Sequence, residues 1–382
     1  MVFFSEEQKR FCEWVKAFAA KELSDGAKER QKLEYIEPEV IKKLAEAGLL
    51  EMGATPKYAK RPTDCVTLGI AMEEICKVDY SAMIVLLVQT LVYGLAEFMT
   101  EELREDIVPA AAAGKRLLCF ANTEPDCGSD AAAIKTKAVR DGDHYVINGE
   151  KTSISGGMQS DAVFMTAKTG PESGAKGVTL FYVPLDALGV NRSVFHDMGN
   201  STSGRASLIF DQVRVPAVFR IGNEGEGFTK VMRAFDASRV LVALSALGLA
   251  EASLQDAIEY VKQRTAFGNS LSKYEGISFR LAEHATMIEA ARMLCYKALK
   301  LRDEGLPHSK ESAMTKWFAP KCAVDATHDI LVMVGSKGYS DEYAFERRWR
   351  DATSCLLGDG TAEIMKIIVA REMLGNRFAP SI

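Results

Sequence analysis

From Phe120 to Asp130 the chain reads Phe-Ala-Asn-Thr-Glu-Pro-Asp-Cys-Gly-Ser-Asp, directly after the apolar run Leu117-Leu118-Cys119. Pro125 fixes φ, Gly128 permits positive φ, and Thr123 and Ser129 set short hydroxyls beside main-chain N–H groups. Such a loop can wrap a flat polar ring or an anion by backbone donation. The same residues also make an ordinary turn capped by Asx and Ser side chains. A second candidate is Asp359, between Gly358 and Gly360 and followed by Thr361. A carboxylate there could take a proton, and it equally fits an Asx turn or helix cap. Arg264, in Arg264-Thr265-Ala266-Phe267-Gly268, offers a planar fork of donors suited to a diphosphate. It also reads as the basic last turn of a helix stopped by Gly268-Asn269. His144, His196, His284, His308 and His328 form no catalytic pattern.

The elements that must carry these residues fall into three stretches. Ser5 followed by Glu6 and Glu7 suits a helix start, with Phe11, Trp14, Val15 and Phe18 on one face. Ile41–Leu50 and Val66–Cys76 predict further helices, and Ser81–Phe98 is apolar nearly all round, as a buried helix would be. The Ala-rich segment Ala110–Ala113 closes this stretch. Between 118 and 222 short β-rich runs alternate with Gly, Asp, Pro and Ser: 144–147, 162–166, 178–183 and 206–210. Helical periods then return over Ala237–Arg264, Glu275–Gly305, Lys310–Val334 and Ala362–Leu374, the last stopped by Gly375. The expected fold is α+β, with a helical domain (1–117), a compact antiparallel sheet domain (118–222) and a C-terminal four-helix bundle (223–382). No Gly-x-Gly-x-x-Gly follows a strand, which speaks against a Rossmann dinucleotide site.

Composition narrows the function classes. The 382 residues carry a net charge of −5, with 47% hydrophobic and 26% charged residues, an ordinary globular profile. An acidic balance without a Lys/Arg block speaks against nucleic-acid binding. Eight scattered cysteines, without a C-x-x-C pair or Cys/His cluster, point to a reducing compartment and no metal site. The acidic start after Met1-Val2-Phe3-Phe4 is neither a signal nor a transit pattern, and runs such as Met83–Val88 are too short for a bilayer. A cytoplasmic enzyme away from membranes is the expectation.

The loop Thr123-Glu124-Pro125-x-x-Gly128-Ser129-Asp130 resembles the flavin-binding segment of the acyl-CoA dehydrogenase family. Further blocks follow in that family's order: Ile147–Lys151, Val213–Pro216, Gly222–Phe228, Arg264–Gly268, Gly335–Tyr339, and Arg350–Ala352 leading into Gly360–Ile364. The resemblance spans essentially the whole chain and implies FAD in a cleft between the sheet domain and the bundle, with an acyl thioester against it. By resemblance Phe120, Asn122, Thr123 and Ser129 line the flavin, Thr123 at the ring and Ser129 toward the diphosphate and substrate. Ile154 and Ser155 cover the other ring edge, while Gly360 and Thr361 touch flavin or substrate. Arg264 and Phe267 match a motif that reaches the FAD of a neighbouring subunit, which implies a homotetramer. Val332 stands where the family commonly has a Gln at the adenine end.

Asp359 is the departure that matters. It stands where many members carry the catalytic Glu, and Ser238, ahead of Arg239, stands at the family's other base position. Asp359 is thus the one carboxylate at either place, and Arg239 resembles a family arginine near the substrate. A base one methylene shorter retracts by about 1.5 Å, which points to an alicyclic or branched acyl group. The expected function is FAD-dependent acyl-CoA dehydrogenation, with an electron-transfer flavoprotein as acceptor. Alternatives are an enoyl-thioester reductase or acyl-carrier-protein dehydrogenase, a nitroalkane oxidase-like enzyme, and a binding protein that has lost its base.

Overall fold

In the computed structural model the described residues are 4–59, 63–170, 172, 174–375 and 377–378. Met1–Phe3, part of the leader reading above, lie outside them. The N-terminal third is helical: α1 (Glu6–Glu22), α2 (Ala27–Arg30), α3 (Pro38–Glu46), α4 (Cys65–Val78), α5 (Tyr80–Ala96) and α6 (Glu101–Ala112). Ser5 caps α1 as expected. Its hydroxyl accepts from Gln8 N at 3.1 Å while Gln8 Oε1 accepts from Ser5 N at 3.0 Å, a reciprocal capping box. Asp79 starts α5 by accepting from Ser81 N and Ala82 N, and Arg30 pairs with it in the interior.

The middle third is one sheet of eight strands: β1 (Leu118–Ala121), β2 (Lys137–Asp141), β3 (His144–Ile154), β4 (Ala162–Lys168), β5 (Val178–Pro184), β6 (Val190–Val194), β7 (Ala206–Pro216) and β8 (Arg220–Ile221). The path runs β6-β7-β3-β2-β4-β5-β8, with β1 beside β4. Five pairings are antiparallel, as expected, but β1 and β2 each run parallel to β4. Strands β1, β2, β6 and β8, not among the expected runs, are short, half-polar or at an edge. Strand β3 extends beyond the expected 144–147, because two register shifts break its alternation between Ile147 and Gly149 and between Lys151 and Ile154.

The C-terminal part is built on α7 (Gly227–Gln263), a small hairpin of β9 (Thr265–Ala266) and β10 (Asn269–Ser270), α8 (Glu275–Asp303), α9 (Ser309–Met333), α10 (Ser336–Tyr339), α11 (Phe345–Ser354) and α12 (Ala362–Leu374). Helix α7 starts ten residues before the expected Ala237, because its first turns lie against β5. It packs on α4, α5, α8, α9 and α11 and forms the axis of the molecule. Its length and apolarity would suit a membrane span, yet most of its apolar window is buried inside the protein. Close crossing depends on Gly248, where a Cβ would come within 2.5 Å of the Glu73 carbonyl oxygen on α4.

Candidate active site

Residues 355–361 connect α11 to α12 through a tight loop in which Asp359 has φ +57° and Gly360 φ +107°. A left-handed residue other than glycine is uncommon, and Asp is among the types that tolerate it. Asp359 does not cap α12. That cap is Thr361, whose hydroxyl oxygen accepts from Ile364 N at 3.5 Å. The Asp359 carboxylate turns inward, where Oδ2 accepts from the hydroxyl of Ser238 on α7. Among the described residues this is the side-chain bond found for Asp359, which leaves Oδ1 free. Asp359 and Ser238, the two positions that the resemblance offers for a base, thus meet at one point.

Neighbouring charges frame that point. Arg239, 5% exposed, donates from Nε to the Asp359 carbonyl oxygen at 3.3 Å and from Nη1 to Asp236 Oδ1 at 2.8 Å. Ser309 holds the other Asp236 oxygen at 2.7 Å. From α9, Lys316 Nζ donates to the carbonyl oxygens of Cys355 at 2.8 Å and Gly360 at 3.1 Å. Burial pulls the Lys316 ammonium below the usual lysine range, and the Asp359 carboxylate opposes that pull. The Arg239 guanidinium also lies over the Phe235 ring, which meets Phe120 edge to face at 5.6 Å. A continuous run of contacts therefore joins Phe120 on β1 to Asp359.

The loop after β1 is held from beneath by a buried ion pair. Lys151 Nζ donates to Glu124 Oε1 at 2.8 Å, to the Asn122 carbonyl at 2.9 Å and to Thr166 Oγ1 at 3.4 Å. Burial brings Lys151 down to about 8, with Glu124 opposing. Burial alone would raise Glu124, but Lys151 and the N–H groups of Lys135 and Thr136 carry it below the usual carboxylate range. Above this anchor the hydroxyls of Thr123 and Ser129 make no hydrogen bond within the described residues, nor does that of Ser155. Thr152 N donates to the Thr123 carbonyl at 2.9 Å, so the two segments lie side by side. Unused hydroxyls, with open space at Gly128, suit a flavin's polar edge and diphosphate.

Other expected residues sit differently. Asn122 is committed inward, accepting from Thr166 Oγ1 at 2.7 Å and donating to the Ala131 carbonyl at 3.4 Å. Ile154 lies in the sheet core, so the ring-edge segment offers backbone there and a side chain only at Ser155. Arg264 and Phe267 follow the far end of α7, about 35–40 Å from Arg239 at 1.5 Å per residue. The Arg264 side chain is exposed, with no ion pair among the described residues, and Phe267 is 95% exposed. Phe235, Lys316 and the anchoring roles of Glu124 and Lys151 were not foreseen. A lysine inside an otherwise apolar helical period was the available signal for Lys316. A separate cleft of about 410 Å³ among α1, α4, α7 and α8 holds none of these residues. Its charges, among them Lys77 with Glu74 and Arg292 with Glu251, pair with one another.

Comparison with known proteins defines the class. Family models of the acyl-CoA dehydrogenase N-terminal, middle and C-terminal domains match residues 5–115, 119–213 and 225–374. The chain belongs to the acyl-CoA dehydrogenase family and is an oxidoreductase with its three-part helix–sheet–helix fold. It is 35% identical to an acyl-CoA dehydrogenase of Bacillus subtilis over 97% of this chain and 99% of that one. It is also 35% identical to an acryloyl-CoA reductase (NADH) of Anaerotignum propionicum, over 97% and 95%. The solved butyryl-CoA dehydrogenase of Megasphaera elsdenii superposes with a TM-score of 0.93 at 33% identity, over 97% of this chain and 99% of that one.

Proposed function

We propose that the protein is an FAD-dependent acyl-CoA dehydrogenase in which Asp359 is the base. The hydrogen bond from Ser238 to Asp359 Oδ2 carries this reading, because it orients the carboxylate and leaves Oδ1 free to take the α-proton of an acyl thioester. Bound FAD supplies the acceptor for the β-hydride that leaves as the α,β-double bond forms. Thr123, Ser129 and Ser155 would hold that cofactor, with the Phe120 ring beside it. Arg239 steadies the backbone of the base loop. Because the carboxylate is short and drawn toward α7, an alicyclic or branched acyl group, brought nearer to α7 than a straight chain, suits it best.

Arg264 and Phe267 are too distant to serve this chain's own cleft and would serve the cofactor of a second copy in a homotetramer. Exposed apolar side chains at Phe279, Val332 and Tyr339 suit burial between such copies. A cytoplasmic enzyme passing electrons to an electron-transfer flavoprotein completes the reading. The reverse reaction, reduction of an enoyl thioester with Asp359 returning the proton, is the second reading, favoured by the likeness to a relative named acryloyl-CoA reductase.

Anaerobic mixing of purified protein with straight, branched and alicyclic acyl-CoAs tests the function through bleaching of the flavin. Reduction by at least one acyl-CoA, and its loss in Asp359→Asn with FAD retained, is the expected result. Absence of flavin after reconstitution, or an Asp359→Asn enzyme that bleaches at the wild-type rate, overturns it.

A further inference from the structure

Lys316 is a buried charge to which neither the family comparison nor the reaction above gives a role. It lies in the middle of α9, 1% exposed, and makes no ion pair within 4 Å among the described residues. An ammonium in such a place is costly unless its donors are used. Here they are used on backbone: the carbonyl oxygens of Cys355 at 2.8 Å and Gly360 at 3.1 Å. These two residues bracket the segment that carries Asp359. Leu357 and Gly358, between them, are exposed and lend no packing of their own. A clamp on both ends of a short loop, one of whose residues is left-handed at φ +57°, fixes where that residue's side chain points.

The side chain is held from two directions. From α7, Ser238 donates to its carboxylate and Arg239 to its carbonyl. From α9, Lys316 holds the flanking carbonyls of Cys355 and Gly360. The charged and titratable groups around the point are Arg239 and Asp236 on α7, Lys316 on α9, and the Cys355 thiol with the Tyr80 hydroxyl of α5 against it. Arg239 is neutralised by Asp236 at 2.8 Å, and the Cys355 and Tyr80 groups are pushed up by burial and stay neutral. The positive charge without a counter-ion of its own is that of Lys316.

We propose that Lys316 is a positioning residue for the reaction's base: its ammonium clamps the loop bearing Asp359 at both ends, through the carbonyl oxygens of Cys355 and Gly360. The inference rests on the reading of Asp359 as that base. Loosening the clamp displaces the carboxylate, and an error of ~1 Å can slow such a step by about 10²-fold.

The test uses the full-length holoenzyme in three variants, Lys316→Gln, Lys316→Met and Lys316→Arg, with Asp359→Asn as reference. Single-turnover flavin bleaching is followed over a range of concentrations of the best acyl-CoA, with FAD content and melting temperature measured alongside. Lys316→Met removes every donor to the two carbonyls and should retain FAD, keep the half-saturating acyl-CoA concentration within about threefold, and lower the plateau rate about 10–100-fold. Lys316→Gln keeps an amide that can reach one carbonyl and should lose less plateau rate than Lys316→Met. Lys316→Arg keeps donors for both carbonyls and should retain most of the plateau rate. A wild-type plateau in a folded Lys316→Met enzyme overturns the proposal, as does loss of the folded holoenzyme in both neutral variants, which would make Lys316 a folding residue only. An Asp359→Asn enzyme with wild-type bleaching instead sinks the base reading. An inert Asp359→Asn beside a wild-type Lys316→Met plateau sinks the Lys316 inference alone.

Discussion

The hydroxyl of Ser238, 3% exposed at the inner start of α7, donates to the carboxylate of Asp359, 121 residues further along the chain. On the proposed reading these are the two positions open to the base, and here they project onto one spot from different elements.

That geometry makes the base transferable. Ser238→Ala removes the orienting donor without touching the base and should slow flavin reduction about 10–150-fold, the scale of one hydrogen bond to a charged group. Asp359→Gly should leave FAD bound and cut reduction on the order of 10²–10⁴-fold. Adding Ser238→Glu to Asp359→Gly puts a carboxylate back at the same spot and should recover at least tenfold. Single-turnover kinetics with one acyl-CoA reads all three. A double variant no faster than Asp359→Gly would show that the two positions are not equivalent here.

Asp359→Glu probes the short reach. The extra methylene advances the oxygens by about 1.5 Å, into the space beside Ser238, where the wild-type carboxylate already makes contact. Preference should shift toward straight-chain acyl-CoAs while the branched or alicyclic substrate loses rate. The ratio of kcat/KM values for the two substrate types is the measurement. A uniform fall in both would mean that acyl shape is selected elsewhere.

Some of this was legible in the residues and some was not. The long helices could be placed because their apolar period runs unbroken and their stops, such as Gly375 after α12, are chemically plain. The first turns of α7 keep that period at Phe228, Val231, Met232 and Phe235, but Gly225 and Gly227 just before them read as a loop, and contact with β5 completes their order. In the sheet, β3 was cut short because its bulges, with Ser153 at φ +63°, erase the alternation that a strand shows. At the site, Asp359 and Thr123 stood out as residue types in motifs. The inward commitment of Asn122, and the work of Lys316 and Phe235, depend on contacts between segments remote in sequence. Spacing along a chain does not carry that information.

The buried Lys151–Glu124 pair should be strongly coupled. Lys151→Met leaves Glu124 enclosed without its cation and should cost about 3–5 kcal/mol of stability. The loop bearing Thr123 would loosen with it, so FAD content should fall. Adding Glu124→Gln removes the stranded charge and should restore at least half of the lost stability. Urea unfolding of the two single variants and the double variant gives the coupling energy. Additive losses would show that the two groups act independently.

Asp351 gives the protein a pH dependence unrelated to its chemistry. It is buried where α11 meets the 200–204 segment and accepts from Asn200 N at 2.8 Å. Burial lifts its carboxyl from 3.8 to about 6, with the Asn200 N–H and the charges of Arg350 and Arg347 opposing. Between those two values the folded protein holds a proton that the unfolded chain has released. The group's contribution is therefore fully present below pH ~4 and is lost as pH rises through ~6. A lift of about two units corresponds to roughly 3 kcal/mol. Asp351→Asn keeps an oxygen for the Asn200 N–H and cannot ionise, so its stability lacks this slope. Other carboxylates cancel in the difference between the two proteins. Urea unfolding at pH 4.5, 5.5, 6.5 and 7.5 should show the variant gaining on the wild type by about 2 kcal/mol across the series. A difference that stays constant with pH would mean that Asp351 remains ionised in the fold, held so by Arg347 and Arg350.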